Sequence, residues 1–294
     1  MISFLLEVLK GAVIGMANVI PGVSGGTMMV SMGIFDKLIY SITHLFKQFK
    51  KSIMTLLPYG IGMLVAIVAF SFVVTFLFER FPMPTSAAFI GLILGGVPIL
   101  VKRVRGKHAG LAGILLFAVF CVGIIVLQVF GSGVENETAI VLSTAEMLKL
   151  VCMGAIASAT MIIPGVSGSM MLMILGYYKP IVGAVSGLIT ALASVNVPDI
   201  VYYFGILLPF ALGIALGIFA VAKIIEILIR KWEGLTYCAI LGLVAASPVV
   251  VFLSVGVGTV TVLSVVASIV TFAAGLFCAL WLSKGESENA NSDS

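Results

Sequence analysis

Two short runs combine proline, glycine and hydroxyl side chains inside sequence otherwise suited to hydrocarbon. The first is Asn18-Val19-Ile20-Pro21-Gly22-Val23-Ser24-Gly25-Gly26-Thr27. It returns 143 residues later as Met161-Ile162-Ile163-Pro164-Gly165-Val166-Ser167-Gly168-Ser169-Met170. Pro21 and Pro164 cannot donate a backbone hydrogen bond, and each disfavours helix in the residue before it. The glycines then let the main chain turn and approach a ligand closely. Backbone N–H groups freed at such a break cannot stay unsatisfied at membrane depth. They need a hydroxyl, water or a ligand, and Ser24, Thr27, Ser167 and Ser169 can supply local caps. An opened helix start also suits an anion such as phosphate or carboxylate. Broken helices at matching positions in two halves of a chain point to a transporter's binding site. The candidate phosphate-binding set is Asn18, Gly22, Ser24, Gly25, Gly26, Thr27, Gly165, Ser167, Gly168 and Ser169. The plainer alternative is a pair of kinks packed by glycine, as the Gly11/Gly15, Gly91/Gly95 and Gly213/Gly217 spacings suggest for helix contacts.

Ionisable residues within or beside the apolar segments are few, and charge there is expensive. Glu7 and Asp36 are candidates for a coupling ion. Arg80 and Lys179 are candidates to contact a phosphate from the outer side, although Glu79 and Arg80 beside Phe81-Pro82 also read as an interfacial salt bridge. Glu7/Lys10 and Glu146/Lys149 can each neutralise themselves at i,i+3 on one helix face. Soluble-enzyme signatures are missing: there is no Walker A loop, HExxH, Cys-x-x-Cys or GxSxG elbow. The histidines, His44 and His108, lie among basic residues, and Cys121, Cys152, Cys238 and Cys278 are scattered through apolar segments. No catalytic residue, metal centre, cofactor or nucleic-acid partner is expected. Without an ATP site, uphill transport must draw on an ion gradient.

The elements that position these residues follow from composition. Of 294 residues, 61% are hydrophobic and 10% charged, with a mean hydropathy of +1.27. Helix-length apolar runs between short charged loops describe an all-α polytopic membrane protein. Crossings are expected at Ile53–Phe78, Thr85–Val101, Ala109–Phe130, Tyr203–Ile229, Leu235–Leu253 and Val260–Leu282. The first segment, Ile2–Met16, lacks a basic n-region and a small-residue cleavage site, and reads as mature sequence. Gly33 matches Gly176 at the offset of the motifs. At an offset of 151, Leu57-Pro58 matches Leu208-Pro209, Gly62 matches Gly213, and Ala88, Gly91 and Leu92 match Ala239, Gly242 and Leu243. The chain thus divides into repeat 1 (residues 1–130), a linker (131–142) and repeat 2 (143–283), followed by a polar, disordered tail (284–294). Each repeat is a re-entrant broken-helix hairpin, about 2–40 and about 143–195, followed by three transmembrane helices.

Basic residues cluster at Lys47/Lys50/Lys51, at Lys102/Arg103/Arg105/Lys107 and at Arg230/Lys231, while Glu135 and Glu137 sit in the central linker. The positive-inside rule makes the basic loops and both termini cytoplasmic and the linker external. Three crossings between the hairpins is an odd number, so the second repeat is inverted relative to the first. Ser31–Ser52 reads either as an amphipathic helix on an anionic lipid surface or as an ordinary basic loop.

The phrase ANVIPGVSGGT with Gly33-Ile34-Phe35-Asp36-Lys37-Leu38-Ile39, and its echo IPGVSGSMM ahead of Gly176-Tyr177-Tyr178, resembles the PopT-type polyprenyl-phosphate transporters over essentially the whole chain. The resemblance implies a flippase in the bacterial plasma membrane. Its partner would be undecaprenyl phosphate, recycled from the outer to the inner leaflet for cell-wall synthesis. Two alternatives stand beside it: a secondary transporter of a small soluble anion, and a membrane enzyme acting on polyprenyl phosphates. Ser169 in place of Gly26 suggests that the two motifs contribute unequally.

Overall fold

The computed structural model describes residues 2–19, 24–105, 107, 110–131, 140, 142–255 and 260–292. These residues form eleven helices and no strand: α1 (Ile2–Val19), α2 (Gly25–Ser31), α3 (Phe35–Thr43), α4 (Phe49–Arg80), α5 (Pro82–Val104), α6 (Gly110–Gly131), α7 (Thr144–Ile162), α8 (Gly168–Ile174), α9 (Tyr178–Ala193), α10 (Val197–Val255) and α11 (Val262–Ser292). Six of them have the length and hydropathy of membrane spans, and the bent pair α8–α9, turning through 110°, would make a seventh. Several of these helices are apolar all round. α6, for instance, exposes Leu111, Ile114, Val119 and Phe130, as expected where a helix meets lipid and not water. The chain is a multi-pass membrane protein.

All six expected crossings coincide with helices, Ala109 lying outside the described residues and Val260-Thr261 just ahead of α11. Two share α10, whose 59 residues would measure about 90 Å if straight, three times the hydrocarbon thickness. The helix breaks at Trp232 (φ −138°, ψ 55°), in the interval expected between the two crossings. α7, assigned above to the second hairpin, is itself long and apolar enough to span. Ser31–Ser52 is neither a surface helix nor a plain loop. Gly33 takes φ 72°, α3 follows with Phe35, Leu38 and Ile39 buried, and the chain turns through residues 44–47 into α4. Its apolar face enters the core and does not lie on the membrane. α11 runs on to Ser292, past the point where a disordered tail is expected. Lys284, Glu286 and Glu288 have fair helix propensity and no proline stands among them to stop the last turns.

The two halves pack their helices alike. Gly11 sits against the main chain of Tyr59, and Gly154 against that of Phe210; Gly62 sits against Val8, and Gly213 against Val151. Each second pair is the first carried forward by the two sequence offsets. Where Gly15 packs on Ala66, the second half has the reverse arrangement, Gly217 on Ser158. A side chain at any of these glycines would drive into a neighbouring backbone, so the close approach itself demands glycine.

These contacts also fix direction. Gly11 meets Tyr59 and Gly15 meets Met63 and Ala66, so α1 and α4 run parallel. In the second half Gly154 meets Phe210 and Gly217 meets Ser158, while Tyr202 near the start of α10 donates to the Ile140 carbonyl at 3.1 Å. α4 therefore starts at the end of the bundle where α1 starts, and α10 at the end where α7 starts. Ion pairs gather the basic loops at one end: Lys37 with Glu7 at 2.6 Å, Arg103 with Asp36 at 3.3 Å, and Lys107 with Glu233.

Candidate functional site

The two motifs meet inside the bundle, and the first supplies what the break in the second lacks. Pro164 ends α7, leaving the Ile163 carbonyl and the Gly165 N–H outside any helix. Both are taken up from the first half. Ser24 Oγ donates to the Ile163 carbonyl at 3.3 Å, and Gly165 N–H donates to Thr27 Oγ1 at 2.7 Å. Thr27 is fully buried and also lies 3.4 Å from Ser247 Oγ of α10. Gly165 holds φ +82°, and a Cβ there would stand 2.7 Å from the Leu243 carbonyl, so glycine is required on both counts. Gly26 presses on the Ile162 carbonyl, with Pro164 N 3.1 Å from where its Cβ would be.

The first motif closes on itself as well. Gly25 N–H, at the start of α2, donates to Asn18 Oδ1 of α1 at 3.1 Å. The expectation that serines cap their own helices is therefore corrected. Ser24 and Ser167 occupy the N-cap positions of α2 and α8, and neither makes a side-chain cap. Ser24 crosses to the other repeat because the orphaned carbonyl lies there, and Asn18 reaches the amide instead.

Threonine 27 has no hydroxyl counterpart in the second motif, where Met170 stands. Ser167 and Ser169 are correspondingly spared from the interlock and hydrogen-bond each other at 2.9 Å. They line a cavity of about 200 Å³ together with Asn18, Ser24 and Gly168. Its remaining wall is apolar and aromatic, including Met161, Tyr178 and Phe210, and Met161 is 43% exposed at the protein surface. The first N–H groups of α8, at Gly168 and Ser169, have no intrahelical acceptor. Hydroxyls, an amide side chain and these N–H groups give the cavity several neutral donors. α2 and α8 have seven residues each, too short for much of a macrodipole. Local donors, not helix dipoles, therefore dominate the polar character of the cavity.

Of the candidate residues, Asn18, Ser24, Ser167, Gly168 and Ser169 line this cavity, while Gly25, Gly26, Thr27 and Gly165 build the interlock behind it. Gly22 lies outside the described residues. Arg80 and Lys179 do not line the cavity. Arg80 is exposed at the end of α4, and Lys179 is exposed on α9 beside the lining residue Tyr178. Glu7 and Asp36 are likewise elsewhere: Glu7 is paired with Lys37, and Asp36 accepts from Tyr237 at 2.5 Å and faces Arg103. Tyr178, Phe210 and Ser247 are site residues that sequence reasoning missed. Ser247-Pro248, a hydroxyl before a proline within an apolar run, was the signal available for Ser247.

Thr27→Val keeps the shape and removes the acceptor for a buried N–H. It is expected to destabilise the protein by about 1–3 kcal/mol, seen as a lower unfolding midpoint in detergent. Ser247→Ala should have a much smaller effect, because the Ser247 hydroxyl already donates to the Leu243 carbonyl within its own helix.

A multi-pass helical protein with two interlocked helix breaks and a neutral, donor-lined cavity between them has the build of a membrane carrier. The sequence comparisons agree with that class. The VCA0040-like family model, described as undecaprenyl phosphate translocase-like, matches residues 14–269, and the chain belongs to this family. It is 32% identical over 287 residues to a polyprenyl-phosphate transporter of Staphylococcus aureus (strain NCTC 8325 / PS 47), covering 97% of this chain and 98% of that protein. It is 29% identical over 257 residues to a polyprenyl-phosphate transporter of Vibrio cholerae serotype O1 (strain ATCC 39315 / El Tor Inaba N16961), covering 82% and 75%. No solved structure matches it.

Proposed function

We propose that this chain carries a polyprenyl phosphate, namely undecaprenyl phosphate, across the bacterial plasma membrane, returning it from the outer to the inner leaflet. The observation that carries the reading is the cavity of about 200 Å³ between the motifs. It has room for a phosphate head and not for a polyprenyl tail, and its Met161 wall reaches the apolar outer surface where a tail can stay in lipid. The names of the two relatives support the same substrate. Neutral donors hold an anion without forming an ion pair that must be broken on release. The two halves form an inverted repeat, with each hairpin re-entrant, one from each side, and both termini cytoplasmic. The repeated glycine contacts, and the common end at which α1 and α4, and again α7 and α10, begin, support that arrangement.

Moving one negative charge inward against an inside-negative potential costs about 2.3 kcal/mol per 100 mV. The dianion would cost twice that, and a proton that accompanies the lipid, making it the monoanion, halves the cost. Glu7 and Asp36 are held in ion pairs away from the cavity, which favours the phosphate itself as the proton carrier, since the second pKa of a phosphate monoester is near 6. In proteoliposomes loaded with undecaprenyl phosphate, the purified protein should move the lipid between leaflets with its phosphate retained. An imposed pH gradient should bias the direction. Movement of free phosphate but not of the lipid would favour a small-anion carrier, and loss of the phosphate would mean an enzyme. Indifference to both pH gradient and voltage would remove the coupling.

A further inference from the structure

The seam between α1 and α4 opens at the basic end into a groove of about 450 Å³ lined by Glu7, Lys50, Lys51, Met54 and Thr55. The matching seam between α7 and α10 opens at its own start into a groove of about 430 Å³ lined by Met147, Val201, Phe204, Leu208 and Pro209, among others. The two overlap as counterparts: Lys50 corresponds to Val201 and Met54 to Gly205 by the same offset that relates the two halves. Duplication has kept the shape and changed the chemistry. One groove is wholly apolar at its side chains, and the other carries two adjacent lysines and a hydroxyl.

We infer that the basic groove is a docking site for the head of a polyprenyl phosphate, distinct from the central cavity. This inference rests on the proposed substrate. Charge complementarity selects the occupant. No acidic residue lies in the first turn of α4, and the carboxylate of Glu7 is already matched by Lys37 at 2.6 Å. Lys50 and Lys51 are thus surplus positive charge, and Lys47 is exposed close by in sequence. Two ammonium groups match a phosphate monoester, which carries between one and two negative charges near neutral pH, better than a phosphodiester with one. The tail has a track. Met54, Leu57 and Ile61 on α4 are exposed at i,i+3,i+7 spacings that continue the groove along that helix. The lipid therefore meets the protein at the basic end with its head in the groove and its chain in the bilayer.

The test is photolabelling of the full-length protein in nanodiscs with undecaprenyl phosphate bearing a diazirine next to its phosphate. Adducts are expected in the segment that begins α4. Lys50→Gln/Lys51→Gln should reduce them roughly tenfold while leaving the unfolding midpoint without lipid unchanged, since both side chains are exposed. Phosphatidic acid, also a monoester, should compete, and phosphatidylglycerol about tenfold less. Labelling indifferent to the double substitution, or equal competition by phosphatidylglycerol, would overturn the site. Leaflet-to-leaflet transport is assayed separately. Transport that persists while the labelling prediction fails removes the groove alone, whereas lysine-dependent labelling without any transport counts against the proposed function.

Discussion

Gly26→Val is expected to abolish lipid transport and to destabilise the protein by about 3 kcal/mol or more. The new side chain would have to enter the space held by the Ile162 carbonyl and Pro164 N. Both are backbone atoms at a proline break, so neither can swing aside as a side-chain end would, which puts the cost at or above the top of the ~1–3 kcal/mol usual for overpacking. Relief would come only by lifting α2 off the second motif. That motion breaks the hydrogen bonds from Ser24 to the Ile163 carbonyl and from Gly165 to Thr27, stranding buried polar groups. Gly60→Val provides the control, since nothing lies within 4 Å of the added Cβ there. Thermal unfolding in detergent, run beside a transport assay, reads both consequences.

The second large effect belongs to the cavity. Ser167→Ala/Ser169→Ala removes two hydroxyls that bond each other at 2.9 Å. Fold stability should change little, because both partners of one hydrogen bond leave together. Transport should not survive so well. Each hydroxyl donated to an anionic head contributes about 1.5 kcal/mol, so losing both weakens binding by roughly a hundredfold. Ser24→Ala behaves differently, since Ser24 serves the cavity and the interlock at once; it should lower both transport and stability. The contrast between the double substitution and Ser24→Ala separates a binding role from a structural one.

Much of this arrangement was legible in the sequence, for physical reasons that also mark where it stopped being so. Length and hydropathy place spans because a bilayer demands about twenty apolar residues per crossing, and every expected crossing coincides with a helix. The meeting of the two motifs followed from their duplication. Which hydroxyl does what did not. Ser24 and Ser167 occupy equivalent positions, yet one bonds across the repeat boundary and the other faces the cavity, because only the first motif has a threonine to complete the interlock. Arg80 and Lys179 looked like phosphate ligands because an anion suggests a cation. Both stand exposed and neither lines the cavity, whose polar lining is neutral. The burial of α3 was hidden for a similar reason. Its basic neighbours resemble a surface ribbon, whereas the turn at Gly33 swings its apolar face inward. Tyr178 and Phe210 reach the cavity through tertiary packing that no local pattern announces.

The central claim is that a lipid phosphate enters the space between Ser24 and the Ser167/Ser169 pair. It is tested most directly by thiol protection. With Cys121, Cys152, Cys238 and Cys278 replaced by alanine, a Ser169→Cys variant is labelled with a small maleimide in nanodiscs, with and without undecaprenyl phosphate. The lipid should slow labelling severalfold, and undecaprenol, which has the same tail and no phosphate, should not. Equal labelling rates in all three conditions, or equal protection by undecaprenol, would place the phosphate elsewhere and contradict the account.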